Sequence, residues 1–263
     1  MGNWPVATLV ALAYLLTATG ATAAQVEYVT GTGSAGPNSL GSASATCPTF
    51  DYPTGGGSFS SGGYLDSYVT ALELDSDPIR ETHQAWSWGI NSVQLTSVVA
   101  CVDHKITYKT KQLKLPAGKT GLRSTRCPDG YSVVGGEVTH TAPGESAVLH
   151  VSKPNKKLTK WHGQFFNHTT EKQVTYVTAA CATGKFAKKL SYHRDKDTIV
   201  GNDQGLVTTD CPQGSKALSG GVVAQMSTAS VNSTGVSSTG EGSASYVDAV
   251  GGSKVFNYLI CVE

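Results

Sequence analysis

This 263-residue chain is notable first for what it lacks. Past its first 24 residues it holds no apolar run of the roughly 20 residues needed to cross a bilayer as a helix. No segment there keeps apolar residues at helical spacing for more than about ten residues, which argues against a helical bundle. No Cys-x-x-Cys pair occurs, so the usual zinc-ribbon spacing is missing. There is no Gly-x-Ser-x-Gly elbow to present a nucleophilic serine. Gly55-Gly56-Gly57 and Gly31-Thr32-Gly33 are not followed by a helical pattern that would make them phosphate loops. Only 15% of the residues are charged, and the net charge is +1.

Residues 6–16 form a short apolar stretch, and Ala21-Thr22-Ala23-Ala24 supplies small residues for cleavage. Together they read as an export signal over residues 1–24, although Met1-Gly2-Asn3-Trp4 brings no basic side chain. The mature protein is then expected outside the cell, with no membrane span after cleavage. Alternating stretches such as Val93-Gln94-Leu95-Thr96-Ser97-Val98 and Val174-Thr175-Tyr176-Val177-Thr178 read as strands, because alternation places apolar residues on one face of a pleated sheet.

The six cysteines fall into three successive pairs: Cys47 and Cys101, Cys127 and Cys181, Cys211 and Cys261. The spacings within pairs are 54, 54 and 50 residues, and other landmarks keep step with them. A tyrosine precedes each leading cysteine by 19 positions (Tyr28, Tyr108, Tyr192), a proline follows each (Pro48, Pro128, Pro212), and a glycine lies nine residues beyond (Gly56, Gly136, Gly220). The chain therefore reads as three copies of one unit, at 25–104, 105–188 and 189–263. Six cysteines allow 15 connectivities. Pairing within each copy is the one that keeps the copies equivalent, so the expected disulfides are Cys47–Cys101, Cys127–Cys181 and Cys211–Cys261. Each would tie a unit's opening turn to its closing strand, and an exported chain is where such bonds persist. The Cys-Pro-x-Gly segments are turn chemistry. Paired glycines such as Gly135-Gly136 predict a bulge or a close backbone approach under a tryptophan ring. Ser76-Asp77-Pro78 ahead of Trp86 and Trp88 aligns with Ser152-Lys153-Pro154 ahead of Trp161, while the third copy carries a Ser/Thr/Gly-rich stretch at 226–245 instead.

With Val26-Glu27-Tyr28, Leu115-Pro116-Ala117-Gly118, the Cys-Pro-x-Gly-x4-Gly-Gly segment, Ser152-x-Pro154, Trp161, Asn167 and Cys181, the chain resembles a repeat of secreted bacterial proteins of actinomycete type. The resemblance implies an exported β-rich module and brings no catalytic residues with it.

The expected fold is all-β: three tandem β-sandwich-like units of about 80 residues, each stapled by one disulfide. The alternative is a single pseudo-threefold body of β-prism type. Charge is distributed unevenly. Lys and Arg minus Asp and Glu is 1 − 8 = −7 in the first unit, 14 − 4 = +10 in the second and 5 − 7 = −2 in the third. Lys109, Lys111 and Lys114 form one basic cluster of the middle unit, and Lys153, Lys156, Lys157 and Lys160 another beside Trp161. A cationic surface with an aromatic suits an anionic glycan or wall polymer. Trp161 is read as core in the competing view, with the lysines as a solvated face.

Other constellations are weaker. His140 and His150, with His162 or His168, are the best-spaced set for a metal, and surface histidines are the plainer reading. Asp66, Glu73, Asp75, Asp77 and Glu81 supply carboxylates but no recognisable acid–base pair. Asn167-His168-Thr169 and Asn232-Ser233-Thr234 are glycosylation sequons. Nothing calls for a cofactor or a protein-bound metal. The leading functional reading is an exported non-catalytic protein that binds glycans or a polyanionic polymer at a cell surface. A structural or assembly component of an envelope or extracellular particle, with self-association, is the alternative, and a secreted hydrolase the second.

Overall fold

A computed structural model describes residues 25–49, 51–61, 67–76, 79–87, 92–140, 147–200, 203–224, 229–249 and 252–263. The expected signal segment, Trp88 and the His140–His150 hairpin tip lie outside those residues. The described chain is almost wholly antiparallel β-structure. Its one helix, α1 (Gly184–Lys188), spans five residues, and no described helix is long and apolar enough to cross a membrane.

The first unit supplies β1 (Val26–Ala35), β2 (Ser39–Thr46), β3 (Tyr52–Ser60), β4 (Ser67–Ser76), β5 (Ile79–Ser87) and β6 (Val93–Val102). The second supplies β7 (Thr107–Leu115), β8 (Thr120–Arg126), β9 (Ser132–His140), β10 (Ala147–Pro154), β11 (Lys160–Asn167) and β12 (Gln173–Ala182). The third supplies β13 (Leu190–Ile199), β14 (Asp203–Asp210), β15 (Lys216–Ala224), β16 (Ala229–Val236), β17 (Gly242–Ala249) and β18 (Ser253–Val262).

Pairing is the same in every third of the chain. The sixth strand lies between the first and the third, giving β1-β6-β3, β7-β12-β9 and β13-β18-β15. The fifth lies between the second and the fourth, giving β2-β5-β4, β8-β11-β10 and β14-β17-β16. Even the irregularities recur. The third strand slips by one residue against the closing strand at Pro53/Gly55, at the register of Cys181 with Val133, and at Ala217/Ser219. Such a bulge inserts one unpaired residue and bends its strand.

The trios do not stop at the unit boundaries. β3 bonds to β16 at Ser58↔Thr234, β10 to β15 at Val151↔Val223, and β4 runs beside β9. Pairing thus links the third unit to the first and to the second, while the first and second meet where β4 runs beside β9. The bulged strands meet where the units join. The Thr54 hydroxyl donates to the Leu218 carbonyl at 2.9 Å, a side chain on Gly55 would strike Ser219, and one on Gly135 would strike the Thr54 carbonyl. Glycine at 55 and 135 is a packing requirement.

The disulfides are Cys47–Cys101, Cys127–Cys181 and Cys211–Cys261, the pairing expected from the cysteine spacing. Closing a loop of about 50 residues stabilises by roughly 4 kcal/mol in the chain-entropy account. The turns after the leading cysteines also repeat: the nitrogens of Asp51, Tyr131 and Ser215 each donate to the carbonyl of a proline three residues back. Gly130 and Gly214 there adopt φ of +81° and +85°, which glycine takes without strain.

Within the second unit, Trp161 is fully buried beneath the sheet. Its ring lies where a side chain on Gly136 would sit, and its indole N–H donates to the Ser152 hydroxyl at 3.1 Å. The core reading holds for Trp161, and its part in the binding reading is corrected: the ring has no face open to a ligand. Register also corrects the alignment of the first copy. Trp161 stands opposite Thr125, as Ser243 stands opposite Thr209, and the matching place in the first unit is Glu81, opposite Ala45. Trp86 lies farther along β5, opposite Leu40. In the third unit, where Ser243 replaces the indole, the interior is polar. Asn257, fully buried, donates to Thr209 at 3.0 Å and Ser243 at 2.8 Å and accepts from Ser245 at 2.7 Å.

Candidate functional site

Eight of the basic residues lie on one sheet, ordered β13-β18-β15-β10-β11-β8, which joins strands of the second and third units. Side chains directly opposite in antiparallel strands project to the same side, so the registers define rows across the sheet. One row is Arg194, Tyr258, Gly221, Lys153, His162 and Ser124. The next is Lys196, Phe256, Val223, Val151, Gln164 and Leu122. Neither row contains an acid. At about 4.8 Å per strand, six strands span roughly 24 Å.

The first row is knit together. Lys153 Nζ lies 4.8 Å from the Tyr258 ring centroid and donates to its hydroxyl at 3.2 Å, passing over the side-chain-free Gly221. The Arg194 guanidinium sits 5.3 Å above the Phe256 ring. Tyr192 and Tyr258 are 6.0 Å apart, and Phe256 and Tyr258 6.5 Å. Cations over ring faces are held by the ring quadrupole, which orients them. At the other end His162 Nδ1 and the Ser124 hydroxyl are 2.6 Å apart. The His162 pKa is lowered, by burial first and then by the charges of Lys153 and Lys160.

Alternation along β13 (Arg194-Asp195-Lys196-Asp197) sorts the charges of that strand. The two cations share the side of Tyr258 and Phe256, whereas Asp195 and Asp197 pair with Asn257 and Val255 on the other. Lys254, exposed and opposite Thr198, adds a further cation to the aromatic side.

The sequence-derived candidates divide accordingly. Lys153 and Lys160 are half-buried on this face, and Lys160 pairs with Arg126 on β8. Lys156 and Lys157 are exposed in the turn between β10 and β11, at the same end. Lys109 and Lys111 are exposed on β7. They lie at that end too, because Cys127, next to Arg126, is bonded to Cys181, which pairs with Thr107. Lys114 falls on the opposite side of β7 from Lys109 and Lys111, by strand alternation. Trp161 points inward, as described. Arg126 and Asp129 form the ion pair recorded among the described residues, at 3.6 Å and well exposed, a type worth little. Arg194, Lys196, Tyr192, Phe256 and Tyr258 escaped the sequence reading. The signal that would have found them is the cation–anion alternation of β13, which a net charge of −2 for the unit conceals.

Among the described residues no group of three or more His, Cys, Asp or Glu is close enough to hold an ion. His104 stacks on Phe186 at 4.9 Å, and His168 meets Phe166 edge-on at 4.4 Å. His150 is buried, and its pKa is lowered by that burial and by His168. The first sequon is structural as well. Asn167 is fully buried, and its amide nitrogen donates to the carbonyls of Leu115, Pro116 and Glu171, leaving no hydrogen or space for a glycan.

No protein-family model matches the chain, and no curated protein matches it. Among solved structures it is similar to one described as the triple jelly roll fold and turret assembly in an archaeal virus. The identity is 8%, over 86% of this chain and 83% of that one, with a TM-score of 0.21. A likeness of that size carries no inference about role.

Proposed function

We propose that this is an exported, non-catalytic protein that binds an extended polyanion across the six-stranded sheet joining its second and third units. The carrying observation is the pair of adjacent rows without a single acid, bearing Arg194, Lys196, Lys153 and His162 and continued by Lys160 and Arg126. A positive surface of that extent raises the local concentration of an acidic polymer and releases its counterions on contact. The three disulfides support an oxidising, extracellular setting. The pairings of β3 with β16 and of β10 with β15 serve as a rigid mount for this face.

The test is binding of polygalacturonate, heparin, polyphosphate and single-stranded DNA at increasing salt. Affinity is expected to fall linearly on a log–log plot, as counterion release requires. Replacing Lys156, Lys157 and Lys160 together by Glu is expected to weaken every polyanion by about tenfold or more, each tenfold step being roughly 1.4 kcal/mol. Failure of all four polymers to bind at low ionic strength would remove the reading.

A further inference from the structure

Resting on that reading, we infer that the β13–β18 end of the face is a subsite for a carboxylated sugar, so that the natural polymer is an acidic polysaccharide of uronate type. The chemistry of this end differs from that of the lysine-rich end. The guanidinium of Arg194 is held over Phe256 at 5.3 Å, and Arg194 is exposed. A planar fork so fixed presents parallel N–H groups to a carboxylate without first losing its freedom. Lys196 stands level with Phe256, and Lys153 is anchored to Tyr258. Between Phe256 and Gln164 the row is floored by the half-buried Val223 and the buried Val151, both small and aliphatic.

Saturated sugar rings have an apolar C–H face, which that aliphatic floor and the rim of Phe256 suit, with the carboxylate turned toward Arg194. A nucleic-acid base fits less well. Base stacking needs an open aromatic face, and here the Phe256 and Tyr258 rings are already covered by Arg194 and Lys153. The acids of β13 lie on the other side of the strand and do not oppose a carboxylate. Sequence equivalents in the other units lack the set: Tyr258 and Phe256 correspond in register to Val98 and Thr96 in the first and to Thr178 and Tyr176 in the second.

The experiment is calorimetric titration of the full-length protein with oligogalacturonate, fully methyl-esterified oligogalacturonate, polyphosphate and single-stranded DNA. The acid sugar is expected to bind, and its neutral ester to bind at least about tenfold more weakly, or some 1.4 kcal/mol. Arg194→Lys and Phe256→Ala, which keep the charge of the face, are each expected to weaken oligogalacturonate by about tenfold while changing polyphosphate by less than about twofold, whereas Arg194→Ala removes a cation of the face and is expected to weaken both. Arg194→Lys keeps the charge and removes the fork, so its loss separates bidentate recognition from plain attraction, and a thermal melt of each variant verifies folding. Equal affinity for the acid and its ester overturns the subsite. So does indifference of the acid sugar to all three variants, or DNA binding that matches it and shares its sensitivity to them. In those outcomes polyphosphate still binds and still weakens when Lys156, Lys157 and Lys160 are reversed, so the general polyanion reading survives. Loss of that response is what would sink it instead.

Discussion

The Tyr28 hydroxyl donates to the Ala217 carbonyl at 2.6 Å, joining residues 189 positions apart. Tyr108 does the same to Pro53 at 2.7 Å. The acceptors are counterparts, since Ala217 and Pro53 each pair with the closing cysteine of their own unit. The tyrosine that precedes each leading cysteine by 19 positions is thus a clasp between units in two of three cases. The third, Tyr192, packs beside Tyr258 on the cationic face instead.

Removing either clasp should cost stability without altering the fold. Tyr28→Phe and Tyr108→Phe are each expected to lower the unfolding free energy by about 1 kcal/mol, the usual worth of such a bond. The acceptors adjoin Thr54 and Leu218, which are themselves bonded, so a double-mutant cycle reads any coupling between the two tyrosines. Urea titration with coincident optical probes checks this.

Tyr28 also sets an alkaline limit. Burial raises its pKa strongly. The folded state favours the neutral phenol, so its contribution is intact below the unfolded value of about 10 and is lost as pH rises from there toward the folded value. The midpoint of denaturation should fall above that pH, and fall less steeply in Tyr28→Phe. An equal slope in both proteins would show that the phenol is not responsible.

Gly136→Ala places a methyl group against the Trp161 ring and the Thr178 carbonyl. Overpacking of that kind costs about 1–3 kcal/mol. Gly130→Ala, a turn position with open space around it but φ of +81°, should cost less, about 1 kcal/mol of backbone strain. If Trp161→Leu makes room, the penalty of Gly136→Ala shrinks, and a double-mutant cycle reads the coupling.

Acid should act on stability and binding in opposite directions. His150 and His162 both have pKa values lowered chiefly by burial. The unfolded chain binds protons more readily, so their contribution is present above about 6.5 and is lost as pH falls through the window down to the folded values. A polyanion laid over His162 favours its protonated form, so affinity should rise across the same window. His162→Gln is expected to remove that rise in a pH series of calorimetric titrations, leaving affinity at pH 8 nearly unchanged.

How much of this could be read from residues alone follows from where the information resides. Cysteine spacing carried the disulfides, because equivalence of copies leaves one pairing. The Gly135-Gly136 pair announced a close approach, and Trp161 lies on Gly136. Joining of sheets between units was open in the sequence, since a contact such as Ser58 with Thr234 is made by backbone groups that every residue possesses. The match of Trp86 to Trp161 failed because the hairpin of the first unit closes tightly at Ser76↔Ile79, whereas that of the second has a longer turn after Pro154. Counting by proline shifted the alignment. Summed charge missed Arg194 and Lys196 because a strand shows one face at a time.

The pairing of β3 with β16 has a consequence for how the chain attains its structure. The first third leaves a strand edge that only residues near the far terminus can satisfy, and Thr54 awaits Leu218, 164 positions later. Contacts of such separation are slow to form, because a long loop must close before any reward is collected. Partial chains that lack β16 leave the β3 edge unpaired, so the first third is expected to gain its full stability only once the third unit is present.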